Sequence, residues 1–316
     1  MKRTLTADLG AGLVLPTPVL IASGCAGTGK ELSGLVDLKK VGGLVSRTIT
    51  LDARKGSPPP RIAETPSGIV WSTGLQNPGI HAFIDAELPR LARGGVPVIV
   101  SIAGGSLEEY VRTIGALQTR PEVVAVELHL SGPDDELRRD VLGEHIDRTG
   151  EIVGAVARMS LVPVFAKLPM TATELPELAR ACIRAGAHGL TIGGPPPAIG
   201  VVAGTLRPAL GPVTGWMSGP ALKPITLRAV FEAARVVPEA PIIAVGGVRS
   251  AEDAVEMLIA GASAVQVGTA VLVDPAAPVE IARGIAGYLK EKGLATPDDL
   301  RARLRVPVGF REPEEP

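Results

Sequence analysis

Eight short apolar runs recur along the chain, each closed by glycine or a polar residue: 18–24, 42–48, 96–103, 123–130, 162–168, 189–194, 241–247 and 264–270. Runs apolar at nearly every position are the pattern of parallel strands buried on both faces. Between them, 107–117, 175–185 and 251–260 place apolar residues at helical spacing. Glu252 and Asp253 fall in a first helical turn, where negative charge is favoured. Eight such units in roughly 250 residues predict an α/β fold of the (β/α)8 TIM-barrel type. The competitor is a doubly wound sheet. The first strand, however, is followed by Gly24-Cys25-Ala26-Gly27-Thr28-Gly29, which lacks the glycine spacing that fold uses to hold a dinucleotide.

The two longest connections, 49–95 and 195–240, follow strands two and six. Both therefore belong to the C-terminal mouth of the barrel, where barrel active sites are built. Segment 4–16 reads as a hairpin turning at Gly10-Ala11-Gly12, placed to plug the opposite end. No internal repeat beyond the βα unit and no linker composition interrupts the chain, so one domain is expected over residues 1–316. Residues 9–29 carry no charge, and Ala22-Ser23-Gly24-Cys25 after Met1-Lys2-Arg3 faintly resembles a lipoprotein signal. Asp8, Pro16, Pro18 and the glycines break an apolar helix there, which favours a first barrel strand.

Charge and composition narrow the partners. The 316 residues carry 32 Lys+Arg against 33 Asp+Glu, so nucleic acid and anionic membrane, which select a basic excess, are not expected. Aromatic residues are 3%, too few for stacking on single strands or for a membrane belt. The two cysteines, Cys25 and Cys182, make neither a disulfide framework nor a zinc knuckle, and they fit a reducing cytoplasm.

Candidate chemistry gathers at the strand ends. Ala244-Val245-Gly246-Gly247-Val248 and Val267-Gly268-Thr269-Ala270 bare backbone N–H groups near helix N-termini after strands seven and eight, where barrels often hold a phosphate. A third such element, 215–221 with Ser218 and Gly219, lies in the loop before strand seven. Lys167 stands inside the apolar run of strand five and needs a partner. That partner is either a carboxylate such as Glu127 on strand four, or a cofactor that gains negative charge, as a reduced flavin does. Arg47 ends strand two in the same manner.

Ala22-Ser23-Gly24, Pro60-Arg61-Ile62-Ala63-Glu64-Thr65, Gly74-Leu75-Gln76-Asn77-Pro78-Gly79 and Gly219-Pro220-Ala221-Leu222-Lys223-Pro224, with the phosphate glycines, resemble the class 1 dihydroorotate dehydrogenases. The resemblance runs in register from about residue 10 to about residue 290. It implies a flavin mononucleotide (FMN) in the barrel, its phosphate on Gly246, Gly247, Gly268 and Thr269 with Ser218 and Gly219 nearby. Its ring would meet Ala22, Ser23, Gly24, Arg47, Thr48, Ser101, Lys167 and Ile192. In the family's chemistry hydride passes from a substrate carbon to the flavin while a base removes a proton from the adjacent carbon, and Lys167 would stabilise charge on the reduced ring. The family reaction, dihydroorotate to orotate, belongs to pyrimidine biosynthesis. A homodimer and an electron-transfer subunit are the expected protein partners.

Several positions depart from the family pattern. The loop that carries the family's cysteine or serine base reads Ser131-Gly132-Pro133-Asp134, with Gly132 at the base position. A general base typically contributes ~10²–10⁴-fold. The family's substrate-binding asparagines match Trp71, His129, Asp134 and Gly193, and its strand-two lysine matches Arg47. A site built around hydrogen bonds loses discrimination of ~10⁴–10⁵ when such partners go. Gly74 and Leu75, at positions whose backbone groups contact substrate in the family, persist. Trp71 would add bulk to the pocket, and Asp134 would repel a carboxylated substrate. His129 is the candidate replacement base, its ordinary pKa lying near 6.5. His81, His145 and His188 read as surface or packing residues, and Cys25 as a small buried hydrophobe. The sequence thus points to an FMN oxidoreductase acting on a CH–CH bond with its small-molecule substrate changed. A non-catalytic flavin- or ligand-binding paralogue or regulatory subunit is the alternative from another class, and a flavin-free phosphate-sugar barrel is a third.

Overall fold

The computed structural model describes residues 4–32, 34–130 and 145–307. Eight parallel strands close into a barrel in chain order: β1 (Val19–Ile21), β2 (Gly43–Val45), β3 (Val98–Ile102), β4 (Val123–His129), β5 (Val164–Pro169), β6 (Gly189–Gly194), β7 (Ile242–Val245) and β8 (Ala264–Val267). Each falls on a run read from the sequence, β5 reaching one residue past its run to Pro169, and closure excludes the open doubly wound sheet. The outer layer includes α1 (Leu107–Leu117), α2 (Ile146–Met159), α3 (Leu175–Arg184), α4 (Lys223–Val236), α5 (Ala251–Ala260) and α6 (Ala277–Glu291). Ser250 and Asp253 form a reciprocal capping box at the start of α5, so the first-turn acid serves a specific bond as well as the helix dipole.

The N-terminal hairpin pairs Ala7–Asp8 with Val14–Leu15. Gly10, Ala11 and Gly12 all turn through positive φ, and Asp8 accepts from the Gly10 N–H at 2.8 Å. Leu9, Leu13 and Leu15 then pack with Leu20, Val45, Ile99, Ala125, Phe165, Ile243 and Ala264 in one buried cluster. The barrel floor is thereby plugged with hydrocarbon, each buried side chain contributing roughly 1.5–3 kcal/mol. His188 anchors the plug: its Nε2 lies 2.8 Å from the Leu9 carbonyl and its ring meets the Phe165 ring edge-on.

The long connections are not independent loops. Pro197–Ala198, Gly215–Ser218, Gly68–Trp71 and Ile62–Thr65 form a four-stranded antiparallel sheet in that order, with Trp71 opposite Trp216. The third phosphate-type element expected at 215–221 divides in two, with Gly219 preceding the helical turn Pro220–Leu222 that leads into α4. Residues Gly215–Ser218 are strand, and Gly219 is glycine because a Cβ there would stand 2.5 Å from the Gly68 Cα. In the first connection a π-helical turn, Phe83–Glu87, separates Ile80–Ala82 from Leu88–Ala92. Pro89, with no N–H to give, cannot continue the α ladder back into that turn, which widens instead.

Candidate active site at the barrel mouth

Strand register sorts the barrel residues into two faces. Ser101 pairs with Glu127, His129 with Lys167, Lys167 with Thr191, and Val245 with Gln266, so these positions share the face of Phe165 and Ile243, which line the plugged interior. The upper interior is therefore polar. Lys167 Nζ donates to Glu127 Oε1 at 3.1 Å, and Gln266 Nε2 donates to Glu127 Oε2 at 2.6 Å. Of the two partners offered for Lys167, the carboxylate is in place. Strands β4 and β8 stand half the barrel apart, so the Glu127–Gln266 bond spans its diameter. Glu127 is 1% exposed and Lys167 7%, which puts the ammonium on the mouth side of the pair.

Above this layer runs a chain of hydroxyls. Ser23 Oγ donates to the Ser46 carbonyl at 2.8 Å and lies 3.5 Å from Thr48 Oγ1, which is 3.0 Å from Ser101 Oγ. The structure thus gathers Ala22, Ser23, Thr48, Ser101 and Lys167 at the ends of β1, β2, β3 and β5. Ile192 points otherwise: it packs with Leu190, Ile242 and Ala244 in the outer cluster under the helices, so only its backbone is available to the mouth.

The glycines fall into two kinds. Gly246 and Gly247 have φ of 139° and 79°; a Cβ on the first would stand 2.5 Å from Thr226 Oγ1, and one on the second would strike the Lys223 backbone. Packing of α4 against β7 accounts for both. Gly268 differs. Its Cβ would find only Ala22 Cβ at 3.6 Å and Cys25 Sγ at 4.0 Å, ordinary contacts, and Gly24 across the neighbouring strand end has nothing within 4 Å. The fold leaves open space over Gly24 and Gly268, with Thr269 opening the short helix that follows. Beneath it Thr191 Oγ1, Gln266 Oε1 and His129 Nδ1 are buried without hydrogen-bond partners. Open backbone, unpaired polar atoms and a lysine suit a polar ring bearing a phosphate, so the residues present fit FMN.

The substrate side is tied down by its own contacts. Trp71 Nε1 donates to Ser218 Oγ at 2.7 Å, locking the two long connections together. Arg47 is held by Glu87 at 3.4 Å, the residue the π turn presents. Gly74 and Leu75 both take positive φ. The turn is stapled by Asn77, whose amide accepts from Thr50 N and Gly79 N and donates to Thr50 Oγ1 and the Leu75 carbonyl. Gly193 has φ 150°, and a Cβ there would run into the Val245 carbonyl. An asparagine at that position has no room. Asp134, with Gly132, lies outside the described residues.

His129 ends β4 with its carbonyl accepting from Tyr110 Oη at 3.0 Å. Burial drives its imidazole down to about 4; the Lys167 ammonium adds to that, and Glu127 opposes it. Burial likewise pushes the Cys25 thiol up to about 11, against the pull of Lys167, which leaves it a protonated packing group. The long connections' pairing, the Arg47–Glu87 contact and the Tyr110 anchor carry no periodic or motif signal in the sequence. A cleft of about 320 Å³ lined by Lys30, Asp37, Arg90 and Arg93 lies elsewhere and contains none of the predicted site residues. No helix among the described residues is long and apolar enough to cross a membrane.

Known proteins resemble this sequence over nearly its full length. The family model for dihydroorotate dehydrogenase matches residues 7–289. A dihydroorotate dehydrogenase B (NAD(+)) catalytic subunit of Pelobacter propionicus is 41% identical over 304 residues, 96% of this chain and 99% of its own. The subunit of the same name from Desulforudis audaxviator is 43% identical over 298 residues, 94% and 97% of the two chains. That of Endomicrobium trichonymphae is 44% identical over 284 residues, 90% and 92%. With barrel, mouth and sequence in agreement, the chain belongs to the dihydroorotate dehydrogenase family of oxidoreductases.

Proposed function

We propose that this protein is an FMN-dependent oxidoreductase that acts on a carbon–carbon single or double bond of a small molecule, with a substrate pocket rebuilt away from dihydroorotate. One observation carries the reading: a buried Lys167–Glu127–Gln266 layer under the mouth, with unpaired Thr191 and Gln266 atoms and open backbone at Gly24 and Gly268. When bound, the flavin supplies the ring that exchanges hydride with substrate carbon. Gly246, Gly247, Gly268 and Thr269 would take the phosphate. Ser23, Thr48, Ser101 and Lys167 would face the ring, and Lys167 would favour negative charge there. Ser218 would reach the phosphate through its O–H, which the bond it accepts from Trp71 leaves free to donate.

His129 is our candidate for moving the substrate proton. It is neutral at pH 7 and its Nδ1 is unpartnered, so it can accept, although a base so far below the working pH is a weak one. Trp71, Arg47, Gly74, Leu75 and Asp134 are the proposed substrate contacts. Two features support a changed substrate: Trp71 is bonded in place of an asparagine, and Gly193 has no space for one. Relatives named as catalytic subunits support a partner subunit that takes the electrons onward. A homodimer is proposed through the hairpin Val201–Val202/Arg207–Pro208, where Val201 is 64% and Leu206 89% exposed. We place the protein in the cytoplasm. The test is anaerobic addition of dihydroorotate to the flavin-loaded protein. We expect the flavin to stay oxidised; rapid bleaching would make dihydroorotate the substrate and refute the rebuilt pocket.

A further inference from the structure

Two buried charges at the centre of the barrel need a reason. Ion pairs taken from water recover their desolvation cost only with good geometry, and apolar replacements of similar volume are often as stable or more so. This barrel makes the apolar choice where Phe165 packs with Ile99, Ala125 and Ile243. Level with Phe165 on the neighbouring strand, at Glu127, and two residues on, at Lys167, it keeps charges instead. Both carboxylate oxygens of Glu127 are occupied, one by Lys167 and the other by Gln266 from across the barrel. The carboxylate is pinned from two sides. An ammonium has three donors, and the one described bond of Lys167 goes down to Glu127. Its pairing with His129 sets it one register step nearer the mouth than Glu127, which pairs with Phe165.

We propose that Glu127 is the positioning residue of the site: pinned by Gln266 from across the barrel axis, it holds the Lys167 ammonium of the neighbouring strand in place beneath the mouth, and so limits how readily a flavin above it is reduced. The second half rests on the flavin reading given above; the first does not. The titratable groups facing Lys167 are Glu127, His129 and Cys25. At pH 7 the histidine is neutral and the thiol protonated, so Glu127 is the counter-charge among the described residues. Removing its charge leaves the ammonium buried and unpaired, a state that sheds its proton as pH rises.

The experiment compares the full-length protein with Glu127→Gln and the double variant Lys167→Met/Glu127→Gln. Denaturant unfolding from pH 6 to pH 10 reads the first half without any flavin. Glu127→Gln should be less stable than the parent at pH 6, with the gap closing as pH rises. The sign follows because its folded state binds fewer protons than its unfolded chain, and stability then grows with pH. The double variant should keep a constant gap. A Glu127→Gln gap that is also constant would reduce Glu127 to a packing role and overturn the proposal. The flavin-loaded proteins read the second half. At pH 6 and a fixed applied potential, the reduced-to-oxidised ratio should be at least tenfold higher in Glu127→Gln, a shift of about 30 mV for a two-electron couple. That advantage should vanish toward pH 9. Superimposed potentials would overturn the redox half alone, and failure to retain flavin would count against the flavin reading while the unfolding data still decide the first half. If Glu127→Gln does not fold, Glu127→Asp shortens the side chain, draws the carboxylate away from the Lys167 ammonium, and should show the same trends more weakly; parent-like curves there would overturn the proposal.

Discussion

Phe165 and Lys167 stand two residues apart on one strand and face the same barrel interior, yet they meet opposite surroundings. Phe165 is sealed among leucines of the N-terminal hairpin and small apolar residues of the neighbouring strands. Lys167 is held in an ion pair, beside a hydroxyl chain and several buried polar atoms without partners. The lower half has the composition of a core that need only exclude water. The upper half accepts unpaired polar groups, which folded proteins seldom tolerate without a ligand or water to satisfy them. A single scaffold thus separates stability from chemistry along its axis, in the manner expected of barrels whose mouths carry the site.

The comparison breaks most visibly by exchanging the two residues' fates. Phe165→Ala should cost about 3–5 kcal/mol of unfolding free energy as a cavity in the plug, while turnover per folded molecule is retained. Lys167→Ala should also destabilise, because Glu127 is left buried without its ammonium. Its distinguishing effect is a ~10²–10³-fold fall in turnover. Equal turnover losses in the two variants, measured on folded protein, would erase the distinction.

A smaller effect sharpens the upper half. With His129 titrating at about 4 when folded and near 6.5 when unfolded, the unfolded chain binds more protons between those values. Stability should therefore fall as pH drops through that window, by about 3 kcal/mol in all. Denaturant titrations from pH 7 to pH 4 should show this decline in the parent and a shallower one in His129→Asn. Parallel curves would mean that the imidazole is not buried neutral.

The fold was legible in the sequence wherever burial is complete. The eight barrel strands are predominantly apolar runs buried on both faces, and the hairpin announces its turn with Gly10 and Gly12. The sheet over the mouth was not legible. Its strands are two to four residues long and half-exposed, and they pair Trp71 with a residue 145 positions away, Trp216. Nothing local marks such a pairing, so Gly215–Ser218 read as loop. The site was legible as a list of strand-end residues, because motif and register place them together. What they bond to was not: Glu87 comes from an irregular π turn, and Tyr110 reaches the His129 carbonyl from a neighbouring helix. Ile192 was placed with the ring by the family resemblance, but alternation along β6 sends its side chain to the helix layer.

The central claim is that the polar upper barrel is built to hold a flavin. Its most direct test is the visible absorption spectrum of the purified protein, with release and quantitation of any bound chromophore. The account expects a yellow protein with one FMN per chain, and a Lys167→Ala variant with a displaced flavin band. A colourless protein that takes up no FMN when it is added would contradict it.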